Sequence, residues 1–130
     1  MIGIDTNILA RFLAQDDAEQ GRRADSLLRT LSPQNPGFVS LVSLIELAWL
    51  MRSRYHMSKS ELIQNLERLL NSPELVIESQ QTVGQAIARF GAAKTDFADC
   101  LIERSGHVAG CRHTVTFDEN AAKTSGMKLL

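Results

Sequence analysis

Apolar positions change rhythm repeatedly along this chain, and each change marks an element. A short apolar run at residues 1–5, with Ile2 and Ile4, reads as a buried strand that begins at once. From Thr6 to Ala14 the apolar residues Ile8, Leu9, Phe12 and Leu13 follow helical spacing. A second helix is expected from Asp16 to Leu31, with Ala24, Leu27, Leu28 and Leu31 on one face. Ser32-Pro33-Gln34-Asn35-Pro36-Gly37 is a loop, and Phe38 to Leu41 a strand. Ser43 to Arg54 is a helix with apolar residues on several sides, from Leu44 to Met51, the pattern of a helix covered by the core or by another subunit. Ser58 to Leu70 opens with Ser58 and Glu61 in capping-box spacing. Leu75-Val76-Ile77 forms a strand within 73–78. Gln80–Phe90 and Thr95–Ser105 read as helices separated by Gly91. A strand at Thr114–Phe117, a helix at Glu119–Ser125 and an edge strand at Met127–Leu130 follow. Strands alternating with helices predict an α/β fold with a mainly parallel sheet.

Composition narrows this only slightly. With 130 residues the chain suits one compact domain over 1–130. A 44% apolar share, a 22% charged share and a net charge of −1 are ordinary for a globular protein, so any nucleic-acid contact has to come from a local basic patch. The two cysteines, Cys100 and Cys111, form no CxxC pair or disulfide framework, which fits a reducing cytoplasm. No signal peptide is evident, and no stretch approaches the roughly 20 apolar residues of a membrane span. A soluble cytoplasmic protein is expected.

Four acidic signatures carry the chemistry: Ile4-Asp5-Thr6-Asn7, Ser43-Leu44-Ile45-Glu46, Asp96-Phe97-Ala98-Asp99 and Thr116-Phe117-Asp118. In parallel α/β sheets, ligands bind beyond the carboxyl ends of the strands. Asp5 and Asp118 each directly follow an expected strand, and Asp96 and Asp99 share a helix face at a spacing of three. Every acid also has a plainer role. Asp5 and Asp118 suit N-caps, Ser43 and Glu46 match a capping box, and Asp96 suits a helix dipole. Their recurrence at the same kind of junction favours a shared role. Clustered carboxylates repel unless a cation compensates, and an all-carboxylate set without His or Cys selects Mg²⁺ or Mn²⁺ over Zn²⁺. Such ions activate water and stabilise charge on a phosphate, so phosphodiester hydrolysis is the expected reaction. His56, His107 and His113 lack ligand spacing, and no GxxxxGK loop is present. Lys94, just before the paired acids, and Arg11 are the candidates for holding a phosphate backbone; the cluster Arg52, Arg54, Tyr55 and His56 suits helix-dipole compensation instead.

In order and spacing, these four signatures resemble the PIN-domain family, specifically the VapC-type toxins of toxin–antitoxin systems, and the resemblance covers nearly the whole chain. It implies a three-layer α/β/α sandwich with a central, mainly parallel sheet, and an acidic pocket that binds Mg²⁺ or Mn²⁺ and cleaves RNA. By position, Asp5, Glu46 and Asp99 match the three core acids and Asp118 the variable fourth. Asp5 and Asp99 look like the primary metal ligands. Asp96 is an extra acid one turn earlier, able to support Asp99 or trade roles with it. Thr6, Asn7 and Thr116 match polar positions that support the acids. The resemblance also implies a homodimer and inhibition by a small VapB-type antitoxin, with helix 44–51 as a candidate surface for either. Two alternatives remain: a non-catalytic module that binds RNA or protein, and a phosphatase with an aspartyl nucleophile. The phosphatase would want an acid two residues beyond its nucleophile, where this chain has Asn7.

Overall fold

The computed structural model describes residues 1–130, which divide into two compact units, Met1–Glu78 and Ser79–Leu130. The first unit runs β1 (Ile2–Gly3), α1 (Thr6–Ala14), α2 (Ala18–Arg29), β2 (Gly37–Val39), α3 (Leu41–Ser53), α4 (Lys59–Leu70) and β3 (Leu75–Ile77). The second runs α5 (Gln80–Ala92), α6 (Phe97–Val108), β4 (Val115–Thr116), α7 (Glu119–Thr124) and β5 (Lys128–Leu129). The fold is α/β, rich in helix, with a central parallel sheet of three strands.

In the first unit β2 is the middle strand. It pairs in parallel with β1 (Ile2 to Gly37, Gly3 to Phe38) and with β3 (Gly37 to Leu75, Val39 to Ile77). Gly37 is required at this centre, because a Cβ there would stand 2.8 Å from Ile4 Cγ1 and 2.9 Å from Leu31 Cδ1. α1 buries Thr6, Leu9 and Ala10, and α4 buries Leu62, Leu66 and Leu69, both at helical spacing. α1 packs against α2 and α3, and α4 against α3 and β3. Leu9, Val39, Leu47 and Met51 are fully enclosed. Because all three strands run the same way, their carboxyl ends share one edge, which carries Asp5, Ser40 and Glu78.

In the second unit α5 and α6 pack together, with Phe90 and Phe97 edge to face at 5.9 Å between centroids. β4 and β5 form a parallel pair, Val115 to Lys128 and Thr116 to Leu129. No helix is long and apolar enough to cross a membrane.

Helix α1 lies where the apolar spacing predicts, and Ser58 caps α4, accepting a hydrogen bond from the Glu61 amide at 3.1 Å. Three expectations change. The run at residues 1–5 is not a buried strand: β1 is an edge strand, Ile2 is exposed, and only Ile4 is enclosed. Gly91 does not separate two helices but lies inside α5; the chain turns at 93–96, where Ala93 is extended and Asp96 caps α6. A single interior glycine costs a helix about 1 kcal/mol, less than the buried face of α5 contributes. Finally, Ser43 does not cap α3, which begins two residues earlier with Ser40 as its cap.

Candidate functional site

Asp5, the first of the matched acids, caps α1. Its Oδ2 accepts a long hydrogen bond, 3.5 Å, from the Asn7 amide, and the carboxylate is otherwise exposed. Thr6 next to it is buried and donates from Oγ1 to the Ser43 carbonyl at 3.5 Å, tying the start of α1 to the first turn of α3. Asn7 is exposed and, with Ile8, Arg11, Gln20, Arg23, Ala24 and Leu27, lines a cavity of about 550 Å³ between α1 and α2.

Glu46 does not stand in a capping box. With Ser40 as the cap, Ser43 takes the third helical position; its amide donates to Ser40 Oγ at 3.1 Å. Glu46 falls in the second turn, exposed, one turn beyond Ser43 on the same face. The boundary moves because β2 ends at Val39 and because Glu78 Oε2 accepts the Leu41 amide at 2.7 Å. That contact brings a carboxylate from the end of β3 to the positive end of α3. Sequence reasoning missed Glu78; the available signal was an acid directly after a strand, the feature that singled out Asp5. Glu78→Ala should lower stability by about 1 kcal/mol, read as a melting-temperature drop of about 2–5 °C that Glu78→Gln largely restores.

The acids of the second unit act on one another. Asp96 caps α6, with Oδ1 accepting from the Ala98 amide at 2.8 Å, and Asp118 caps α7, with Oδ1 accepting from the Ala121 amide at 3.0 Å. Thr116 Oγ1 accepts from the Asp118 amide at 3.0 Å, which fixes the backbone ahead of that carboxylate. Asn120 Nδ2 donates to the Lys94 carbonyl at 3.4 Å and so links the turn before α6 to α7. Asp99, half-buried in the first turn of α6, has no hydrogen-bond partner. Burial, then the charges of Asp96 and Asp118, raise its pKa above the usual carboxylate value. Lys94 itself is exposed.

Arg11 is engaged internally. It meets Asp16 at 2.9 Å, Gln20 at 2.6 Å and the Tyr55 hydroxyl at 3.1 Å. The partnerless guanidinium on that cavity wall is instead Arg23.

The family described as PIN domain matches residues 2–127. This chain belongs to the PIN-domain family. A search of curated proteins finds no match to the sequence. The PIN fold is in general that of metal-dependent nucleases, usually with Mg²⁺ or Mn²⁺. No three His, Cys, Asp or Glu side chains are grouped here so as to hold a metal ion between them. The donor chemistry of the PIN domain nonetheless fits a hard cation. Asp99 is without a partner, and the caps at Asp96 and Asp118 each use one carboxylate oxygen. Mg²⁺ needs only one or two carboxylates and keeps several waters.

Proposed function

We propose that this PIN domain is a metal-dependent endoribonuclease acting as the toxin of a VapBC-like toxin–antitoxin module. The observation that carries the reading is Asp99, a half-buried carboxylate with no hydrogen bond, held beside the like charges of Asp96 and Asp118. Such a group is costly to keep unless a cation uses it. In this reading Asp99 is the carboxylate that takes Mg²⁺ or Mn²⁺, which keeps most of its waters, and Asp96 and Asp118 add negative charge beside it. By their match to the family's pattern, Asp5 and Glu46 are further candidate catalytic acids, and Thr6, Asn7 and Thr116 are candidate supporting residues. The bound ion supplies water activation and stabilises charge developing on the phosphate. Lys94 and Arg23 offer cations to the RNA backbone, and Arg11 braces Gln20 and Tyr55.

Purified protein should cut single-stranded RNA with Mg²⁺ or Mn²⁺ and lose that cleavage in EDTA. Cutting that persists in EDTA would exclude the metal-dependent assignment. Growth arrest on expression, relieved by the product of a neighbouring small reading frame, tests the toxin role. An exposed stripe on α3, Val42 at 73% and Trp49 at 67% with Ile45 half-buried between them, supports a homodimer or antitoxin surface.

A second reading has an observation of its own. Asp5, Asp96 and Asp118 all cap helices, so a non-catalytic module that binds RNA or protein accounts for three of the acids without a metal. Calorimetric titration with Mn²⁺ separates the two: heat of binding lost in Asp99→Asn supports the nuclease, and no uptake by the wild type supports the module.

A further inference from the structure

Most aromatic rings of this chain are at least partly covered. Phe117 is 82% exposed, more than any other large apolar residue, and it has no ring partner. Its backbone is nonetheless fixed on both sides. The Thr116 carbonyl accepts the Leu130 amide at 2.9 Å, and the Asp118 amide donates to Thr116 Oγ1 at 3.0 Å. The ring therefore stands in water on a backbone held on both sides, which lowers the backbone part of the ordering cost of any contact it makes.

Its position narrows what that contact is. Phe117 directly precedes Asp118, the cap of α7, and Asn120 in the first turn of that helix donates to the Lys94 carbonyl at 3.4 Å, just ahead of Asp96. Val115, Leu129 and Leu130 are exposed nearby, but Lys128, exposed and paired with Val115, sits among them. Lysine is depleted at protein–protein interfaces, whereas an aromatic face beside a cation suits a nucleotide. Every base has a π-face, so stacking on such a ring needs no particular sequence.

We propose that Phe117 is a stacking platform for a base of single-stranded RNA next to the bond that is cut. The identity of the polymer rests on the endoribonuclease reading above. The ring makes no bond to the reacting atoms: it positions a flanking nucleotide, and its removal acts on RNA affinity.

The test uses the full chain and short RNA oligonucleotides carrying 2-aminopurine at successive positions, whose fluorescence falls on stacking. In EDTA, the wild type should quench the probe at one position. Phe117→Ala should abolish that quench, and with Mg²⁺ it should raise KM roughly 5- to 100-fold with kcat little changed. Phe117→Trp should retain both. The proposal is overturned if Phe117→Ala leaves quench and KM as in the wild type, or if the wild type shows no position-specific quench. It is also overturned if the variant loses self-association, seen by sedimentation, while RNA binding stays intact. Position-specific quench without any metal-dependent cutting would leave the platform standing and remove the nuclease reading.

Discussion

Asp99→Asn should lower RNA cleavage by about a thousandfold while raising the melting temperature at pH 7 by about 1–3 °C. The first effect follows from removing the partnerless carboxylate proposed to bind the ion. The second follows from what that carboxylate does to the fold. Burial and the charges of Asp96 and Asp118 lift its pKa above the value in the unfolded chain. Between those two values the folded state binds the extra proton, so stability falls as pH rises through the interval. Above the folded-state value the whole penalty is present, reduced by solvent because the group is only partly covered. Asparagine keeps the shape and removes the charge. The stabilisation should therefore vanish below the ordinary carboxylate range, where both states are protonated. Mg²⁺ should raise the melting temperature of the wild type and leave the variant nearly unmoved. Thermal melts at several pH values, with and without Mg²⁺, check each arm apart from activity. A variant that cuts normally, or melts lower at pH 7, contradicts the role given to Asp99.

What was legible in the sequence was whatever local chemistry decides. The apolar spacing of Ile8, Leu9, Phe12 and Leu13 fixes α1, and Asp5 could be read at the end of a strand because both flanking elements are short and strongly patterned. Ser58 was legible as a cap because no other cap residue competes in the preceding turn. The start of α3 was not. Ser40 and Ser43 are both good caps, and Glu46 completes the pattern only for the second. The choice falls to Ser40 because β2 stops at Val39 and Glu78, far along the chain, reaches the Leu41 amide. Gly91 misled in the opposite direction: a residue that weakens a helix locally is carried by Val83, Ala86, Ile87 and Phe90 on its buried face. In sequence Phe117 is the end of a strand, and only the structure shows a phenylalanine left in water. The capping role of Asp5 and Asp118 is legible in sequence, whereas for Asp96 the plain structural role legible there is to complement a helix dipole, and the structure shows a cap.

Its place as the cap of α1 makes Asp5 the sharpest discriminator, because Asn and Asp cap helices about equally well. Asp5→Asn should keep the melting temperature within about 1 °C of wild type yet cut RNA about a thousandfold more slowly. Asp5→Ala should lose activity to the same degree and also destabilise the fold by about 0.5–1 kcal/mol. That is the low end for a lost cap, because the hydrogen bond to the Asn7 amide is long, at 3.5 Å. If Asp5 served only as a cap, the pattern would invert: Asp5→Asn would be active, and Asp5→Ala would lose activity only in proportion to the fraction unfolded. Melting curves and single-turnover cleavage on the same preparations separate the two. The same Asn-for-Asp comparison at Asp96 and Asp118 orders the remaining acids, since each caps a helix through one oxygen and leaves the other open. A carboxylate whose amide substitute keeps full activity is structural. One whose amide substitute folds normally and fails to cut RNA contributes its charge to the reaction.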